Sequence, residues 1–325
     1  MLRKKILATM LVCSLVLSAS PVFAGKLKLL SSWGANNKVA YMPALQFEEN
    51  LLKVSQDFTV EIFGPETVPP FEQMTPASAG VFDIIYTYPA YHSKAISLAT
   101  NAMKPDTKKM RTSGVFGYID DYYQKNHNLK LLAVVPLGTH GYHCYLREPL
   151  SANGGWDGRK IRGISTYVGV IEALGGVAVS TPMGEVYSAL EKGVIDGACA
   201  PANVLRATKH YEVAKYRVEP TFGQVASMIA MNLDLWNSLT DQQKQMMVKA
   251  GQMTEDDTKR IGDESLVEDE KVMAAEGLKA VQLPKDKAEL EYSIYAKSVW
   301  DIVIDSCGDS GTELRRLTEA ADLMM

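Results

Sequence analysis

Cysteine is scarce, and long apolar or basic runs are missing. Four cysteines occur in 325 residues, Cys13, Cys144, Cys199 and Cys307, at spacings that match no zinc-binding pattern. Past residue 24, nothing approaches the ~20 consecutive apolar residues that a membrane-spanning helix needs. Basic clusters are absent and the formal charge is −4, which argues against nucleic acid as a partner. Nucleophile elbow, zinc-hydrolase helix and phosphate loop are all lacking, so the commonest hydrolase and nucleotide chemistries have no local support. Internal repeats and low-complexity segments are missing too.

At the amino terminus stands a basic start (Arg3, Lys4, Lys5), an apolar core from Ile6 to Leu17, and a Val22-Phe23-Ala24 end. This pattern predicts a secretory leader, residues 1–24, cleaved after Ala24. Cys13 lies inside the apolar core without the small residues that lipoprotein processing requires. Loss of the leader removes three cations and takes the charge from −4 to −7. Three cysteines then remain in an exported chain, which allows at most one internal bridge. Buried thiols are the simplest reading, and a Cys144–Cys199 bridge stays open. The full sequence is 46% apolar, and the roughly 300 residues after the leader suffice for two lobes.

The most informative stretch runs from Gly158 to Pro201. Lys160 to Ile164 reads as a short strand after the Asp157-Gly158 turn. Val168, Ile171 and Leu174 have helical spacing up to Gly175-Gly176, and Val177 to Val179 is a second strand. Thr181-Pro182 opens a helix whose buried stripe is Val186, Ala189 and Leu190, and Gly193 stops it. Val194-Ile195 starts a third strand. Alternating strands and helices make an open α/β sheet, in which ligands sit beyond the carboxyl ends of strands, where Arg162 falls. By itself Arg162 reads first as a surface arginine beside Arg159 and Lys160.

The same stretch resembles the DctP-type solute receptors of TRAP transporters. The residues that carry the resemblance are Lys160-Ile161-Arg162, Ala173-Leu174-Gly175, and the run from Pro182 through Glu185-Val186-Tyr187 and Ala189-Leu190 to Gly193 and Asp196-Gly197. Tyr211 to Tyr216 adds a further match. The resemblance implies a two-lobed periplasmic binding protein of α/β class: open sheets flanked by helices, a ligand cleft between lobes and a long helix spanning both. It implies no enzyme activity and no cofactor, with the membrane subunits of a TRAP transporter as partners. The expected lobes are 25–138 with about 226–265, and 139–225 with about 266–325.

The resemblance also assigns Arg162 the carboxylate of a small-molecule ligand. Met183 stands at a position that lines the ligand in relatives, with core packing as its alternative. Ala200 replaces a common asparagine, for which Asn203 is a nearby substitute. His140 replaces a second arginine, which disfavours a dicarboxylate, and His140 or His143 remains a candidate donor to a single carboxylate. Three residues apart on an extended segment, these two histidines face opposite ways and make a poor metal pair. Trp33, Tyr88 and Tyr91 replace polar positions of sugar-acid-binding relatives and, with Tyr142, form a candidate stacking box. The expected ligand is therefore an aromatic monocarboxylate: an indole- or phenyl-type acid, or an aromatic amino acid. A sugar acid, or an aliphatic keto or dicarboxylic acid, is the alternative within this class. Outside it stand a secreted enzyme using a histidine with Glu185 or Asp83, and a receptor of similar form serving another transporter or a sensor.

Coarser expectations complete the chain. They are a strand from Lys26 to Leu30, a helix from Val39 to Val54 that buries Ala44, Leu45, Leu51 and Leu52, and strands Phe58–Phe63, Val81–Tyr86 and Leu129–Pro136. A helix from Gly114 to Asn126, a strand from Val225 to Asn232, and continuous helix from Leu239 to about Ala275 are also predicted.

Overall fold

The computed structural model describes residues 25–181, 183–201 and 204–325. Eleven strands occur among them: β1 (Gly25–Ser31), β2 (Phe58–Phe63), β3 (Ile84–Thr87), β4 (Leu129–Pro136), β5 (Tyr142–Leu146), β6 (Lys160–Arg162), β7 (Val177–Val179), β8 (Gly197–Pro201), β9 (Tyr216–Glu219), β10 (Ala226–Asn232) and β11 (Lys279–Gln282). They build two sheets, a five-stranded one in the order β2-β1-β3-β10-β4 and a six-stranded one in the order β11-β9-β5-β8-β6-β7. The expected α/β architecture of two open sheets flanked by helices is present.

In the first sheet β1 runs parallel to β2 and β3, and β10 is antiparallel to both β3 and β4. Residues of β3 and β10 are buried throughout, which is why these strands read as continuous apolar runs and not as alternating ones. The flanking helix Lys38–Val54 buries Ala44, Phe47 and Leu51. Leu45 and Leu52, expected in the core, are instead 46% and 42% exposed. The buried stripe follows 44, 47 and 51; one step along the helix rotates a side chain by about 100°, which turns 45 and 52 toward water.

In the second sheet, β6 lies between β7 and β8, parallel to both. The third strand of the informative stretch begins later than expected. Val194 and Ile195 belong to the turn, and β8 starts at Gly197. Asp196 is held there, because its backbone N–H donates to the Lys160 carbonyl and its carboxylate accepts from the Lys160 N–H. Cys144 and Cys199, directly opposed on β5 and β8, form a disulfide, and Cys307 is a free thiol. The reading of three thiols is thereby corrected: the register of two strands 55 residues apart in sequence brings the sulfurs together.

One helix, Asp241–Ala275, connects the two halves. At ~1.5 Å per residue its 35 residues extend about 52 Å. It starts two residues later than the predicted continuous helix, since Thr240 and Gln243 form a reciprocal capping box after the short helix Leu233–Ser238. Glu255 on this helix pairs with Arg111 beside the first sheet, while Asp269 and Glu270 pair with Arg206 and Arg217 of the second half. Gly262 permits a close approach: a Cβ there would lie 2.4 Å from the Gly138 nitrogen, on the crossing from β4 to β5. The helices Lys285–Cys307 and Asp309–Ala320 close the chain, and Met324 forms a bridge to Met103.

Glu291 on the Lys285–Cys307 helix is 1% exposed, and neither carboxylate oxygen has a hydrogen-bond partner. Burial, reinforced by the charge of Glu219, pushes its pKa up to about 8. A folded-state pKa above the unfolded value of ~4.3 means the native state binds the extra proton. The associated stability is present at pH 4 and lost as pH rises toward 8. Glu291→Gln should therefore flatten the decline expected between pH 5 and 8 and raise the melting midpoint at pH 8 by at least about 2 °C. Thermal melts of both proteins across that range test this, and parallel profiles would refute it.

Candidate functional site

Arg162 ends β6, and the residues after it turn into the short helical segment Ser165–Tyr167. Its side chain is held by its own lobe: Nε donates to the Thr181 carbonyl at 2.9 Å and Nη1 to the Cys199 carbonyl at 3.4 Å. The residue is only 6% exposed. No carboxylate pairs with it among the described residues, although twenty other ion pairs are found there, from Lys26–Glu61 to Arg316–Glu313. Arg162 is thus a buried cation, anchored by two of its five N–H donors with the rest unassigned to any carboxylate. Its field reaches Tyr91, Tyr145 and Tyr167, whose hydroxyls burial pushes up and the guanidinium pulls down. It also adds to the burial that lowers the pKa of His210 to about 4, so this histidine is neutral at pH 7.

The expected aromatic residues divide into two joined groups. Trp33, on the loop after β1, packs on Tyr86 and Tyr91 with ring centres 5.0 and 6.1 Å away. Tyr88 and Tyr91, after β3, meet edge to face at 5.5 Å, and Phe71 lies 4.8 Å from Tyr91. Tyr142, at the start of β5, sits instead among Tyr167, Phe222 and Tyr295 at 4.9, 5.8 and 5.6 Å. The hydroxyls of Tyr88 and Tyr142, 2.9 Å apart, link the two groups and with them the two sheets.

The remaining expected positions are more dispersed. His140 is exposed and approaches Asp263 on the long helix at 3.4 Å. His143 is 2% exposed, and its Nδ1 lies 3.0 Å from the Val218 carbonyl. Burial lowers its pKa to about 3, and the cation that bears on it most is Arg217 rather than Arg162. A neutral ring therefore donates from Nδ1 to β9. Met183 is half-buried against the cluster of Val186 and Leu190, and Ala200 is buried opposite His143 in the β5–β8 register. Asn203 lies outside the described residues. Sequence reading missed Tyr167, Phe222, Tyr295, Thr166 and Asn101. Tyr167 had a signal, being five residues past Arg162; the others converge only through the tertiary fold. A separate open groove of about 540 Å3, lined by Phe71, Glu72, Met74, His92 and His127, contains no buried unpaired cation.

A buried arginine at a strand end, whose field reaches Tyr91 of the other half, suits a binding cleft. Residues 102–300 match the family model described as bacterial extracellular solute-binding protein, family 7. The chain belongs to this family. Among relatives, this solute-binding chain is 27% identical over 194 residues to the ectoine-binding periplasmic protein TeaA of Halomonas elongata, covering 58% of the chain and 55% of that protein. It is 27% identical over 153 residues to the ectoine/5-hydroxyectoine-binding periplasmic protein UehA of Ruegeria pomeroyi, covering 46% and 44%. The chain thus spans about half the length of these curated relatives. In fold it matches the TeaA structure with a TM-score of 0.75 at 20% identity, covering 91% of this chain and 98% of that one. A TRAP periplasmic solute-binding protein from Desulfovibrio salexigens with bound orotic acid gives a TM-score of 0.74 at 17% identity, covering 91% and 98%. At these identities the likeness is one of fold, that of the two-lobed TRAP periplasmic binding proteins.

Proposed function

We propose that this family member is the periplasmic receptor of a TRAP transporter, and that it captures an aromatic monocarboxylate in a cleft between its lobes. The observation that carries this reading is Arg162, a buried guanidinium with no carboxylate partner among the described residues. A buried unpaired charge is costly, and a planar guanidinium matches a carboxylate with two parallel hydrogen bonds. A ligand carboxylate supplies the missing charge, and the Trp33–Tyr91–Tyr88 group supplies flat apolar surface for a ring. The proposed lobes are 25–138 with about 226–265, and 139–225 with about 266–325. Sheet membership supports that division, since β1–β4 and β10 fall in the first and the other strands in the second. The loaded receptor would dock on the membrane subunits of the transporter, after export directed by residues 1–24. In this reading Met183 and Ala200 line the cleft, His143 stands behind it, and Asn203 and His140 are secondary.

A second ligand class has one observation in its favour, the ectoine named for two relatives. Ectoine joins one carboxylate to a cationic ring, and aromatic faces attract such cations. Mass spectrometry of small molecules released on denaturing the purified protein, followed by a thermal-shift screen, separates these readings. At a hundredfold excess over Kd the ligand should stabilise the fold by ~2.7 kcal/mol. Stabilisation by indole- or phenyl-type acids supports the aromatic reading; stabilisation by ectoine alone, or by glucuronate or a dicarboxylate, keeps the receptor and rejects the aromatic acid. Turnover of a bound acid would reject the receptor reading itself.

A further inference from the structure

We propose that the buried hydroxyls of Thr166 and Tyr295, gathered around that of Tyr88, form a second polar subsite that takes a hydrogen-bonding ring substituent of the acid held at Arg162. This rests on the carboxylate reading of Arg162 and adds the substrate class: hydroxylated aromatic acids in preference to unsubstituted ones.

The direction of the hydrogen bonds is fixed from one end. The Asn101 amide nitrogen donates to the carbonyls of Ala226 and Leu98, and its Oδ1 accepts from the Ala226 N–H. Oδ1 also accepts from the Tyr142 hydroxyl at 2.9 Å. Tyr142 has one proton and spends it there, so Tyr88 must donate to Tyr142. The Tyr88 oxygen is left with acceptor capacity.

Thr166 and Tyr295 are 0% and 1% exposed, and neither hydroxyl has a hydrogen-bond partner. Both come near enough to Tyr88 to influence its acidity, yet without normal hydrogen-bond geometry. Buried hydroxyls are nearly always paired, because desolvation without compensation is unfavourable. Two unpaired donors beside one free acceptor are what a ligand hydroxyl would satisfy, by accepting from one and donating to another. Their location also fits. Tyr167 feels both Arg162 and the pair Tyr88 and Tyr295, while Tyr91 feels Arg162 and in turn bears on Tyr88. Thr166 and Tyr167 follow Arg162 by four and five residues, Tyr167 packs on Tyr142 and Tyr295 with ring centres 4.9 and 6.5 Å away, and Tyr91 meets Tyr88 at 5.5 Å, so the guanidinium and the hydroxyls border one aromatic cluster. Tyr88 follows β3 of the first sheet, Thr166 follows β6 of the second, and Tyr295 comes from the Lys285–Cys307 helix. A substituent bound there joins both halves and so favours the closed arrangement.

Calorimetric titration of the full chain with phenylacetate and its 2-, 3- and 4-hydroxy derivatives tests the subsite. For the wild type, at least one hydroxy isomer should bind ~10-fold more tightly than phenylacetate. Thr166→Val or Tyr295→Phe should remove that preference while changing phenylacetate affinity less than about threefold, and Thr166→Ser should restore it. Circular dichroism melts confirm that each variant is folded. Equal affinity for all four acids in the wild type, or a preference that survives both substitutions, overturns the subsite. If Arg162→Ala then still abolishes binding, the clamp stands alone. Binding of none of these acids overturns the subsite and the aromatic-acid reading together.

Discussion

Arg162→Ala should lower ligand affinity by about 30- to 4,000-fold, the span that corresponds to ~2–5 kcal/mol for truncating one partner of a buried charge pair. The side chain is positioned by the Thr181 and Cys199 carbonyls rather than by a carboxylate. Its attachment is thus neutral in charge, and its N–H fork has no other anion to serve among the described residues. For the same reason the unliganded variant should melt no lower than the wild type, because the substitution removes a buried cation that lacks a counter-ion. Arg162→Lys keeps the charge and loses the planar fork, so it should recover only part of the affinity. Calorimetric titration with the ligand recovered from the purified protein, paired with melts of the empty proteins, distinguishes a binding role from a structural one. Affinity within about threefold of wild type would remove Arg162 from the site. Equal loss of stability with and without ligand would make it a structural residue.

The second large effect is expected at the junction of the long helix with the first sheet. Arg111→Ala should destabilise the protein by about 3–5 kcal/mol, the usual cost of breaking a buried pair from one side. Arg111 Nε and Nη2 donate to the two oxygens of Glu255 at 3.0 and 2.7 Å, and Nη2 also reaches the Leu132 carbonyl. The guanidinium stacks on Phe116 at 3.7 Å. Glu255, whose side chain is 3% exposed, accepts from the Val134 N–H as well, which ties the helix to β4. Burial holds the Glu255 carboxyl above its ordinary range even with Arg111 beside it. Without the arginine, the carboxylate must either stay charged in an apolar setting or take up a proton, and both are costly. Chemical denaturation measures the difference, and a change below about 1 kcal/mol would show that the pair is replaceable.

The legible parts of the fold were those set by local periodicity and turn chemistry. Phe58–Phe63, Leu129–Pro136 and Val177–Val179 are strands over the expected residues, because each is a short apolar or alternating run bounded by turn residues. Errors arose where a neighbour in space decided the outcome. Phe47, not Leu45, faces the core because the first sheet covers that side of the helix. Ile195 is buried but stays out of β8 because Lys160 holds Asp196 in the turn.

At the site, Arg162 was visible because a strand, a turn and a resemblance all met at one residue. Trp33, Tyr88 and Tyr91 were visible because they follow strand ends. The partners of Tyr142 were hidden. Tyr167, Phe222 and Tyr295 come from three separate segments, and no local pattern relates residues that meet only when a terminal helix packs against Tyr142.

By itself, then, the sequence determined the class of the fold, the family resemblance and the arginine on which the ligand reading turns, since all three depend on residues close together along the chain. The tertiary structure alone decided the Cys144–Cys199 bridge, the burial of Arg162 without a counter-ion and the gathering of unpaired hydroxyls around Tyr88. Each of these requires segments from different strands and helices to meet. Strand register and helix packing fix such meetings, and neither is written in any one stretch of the chain.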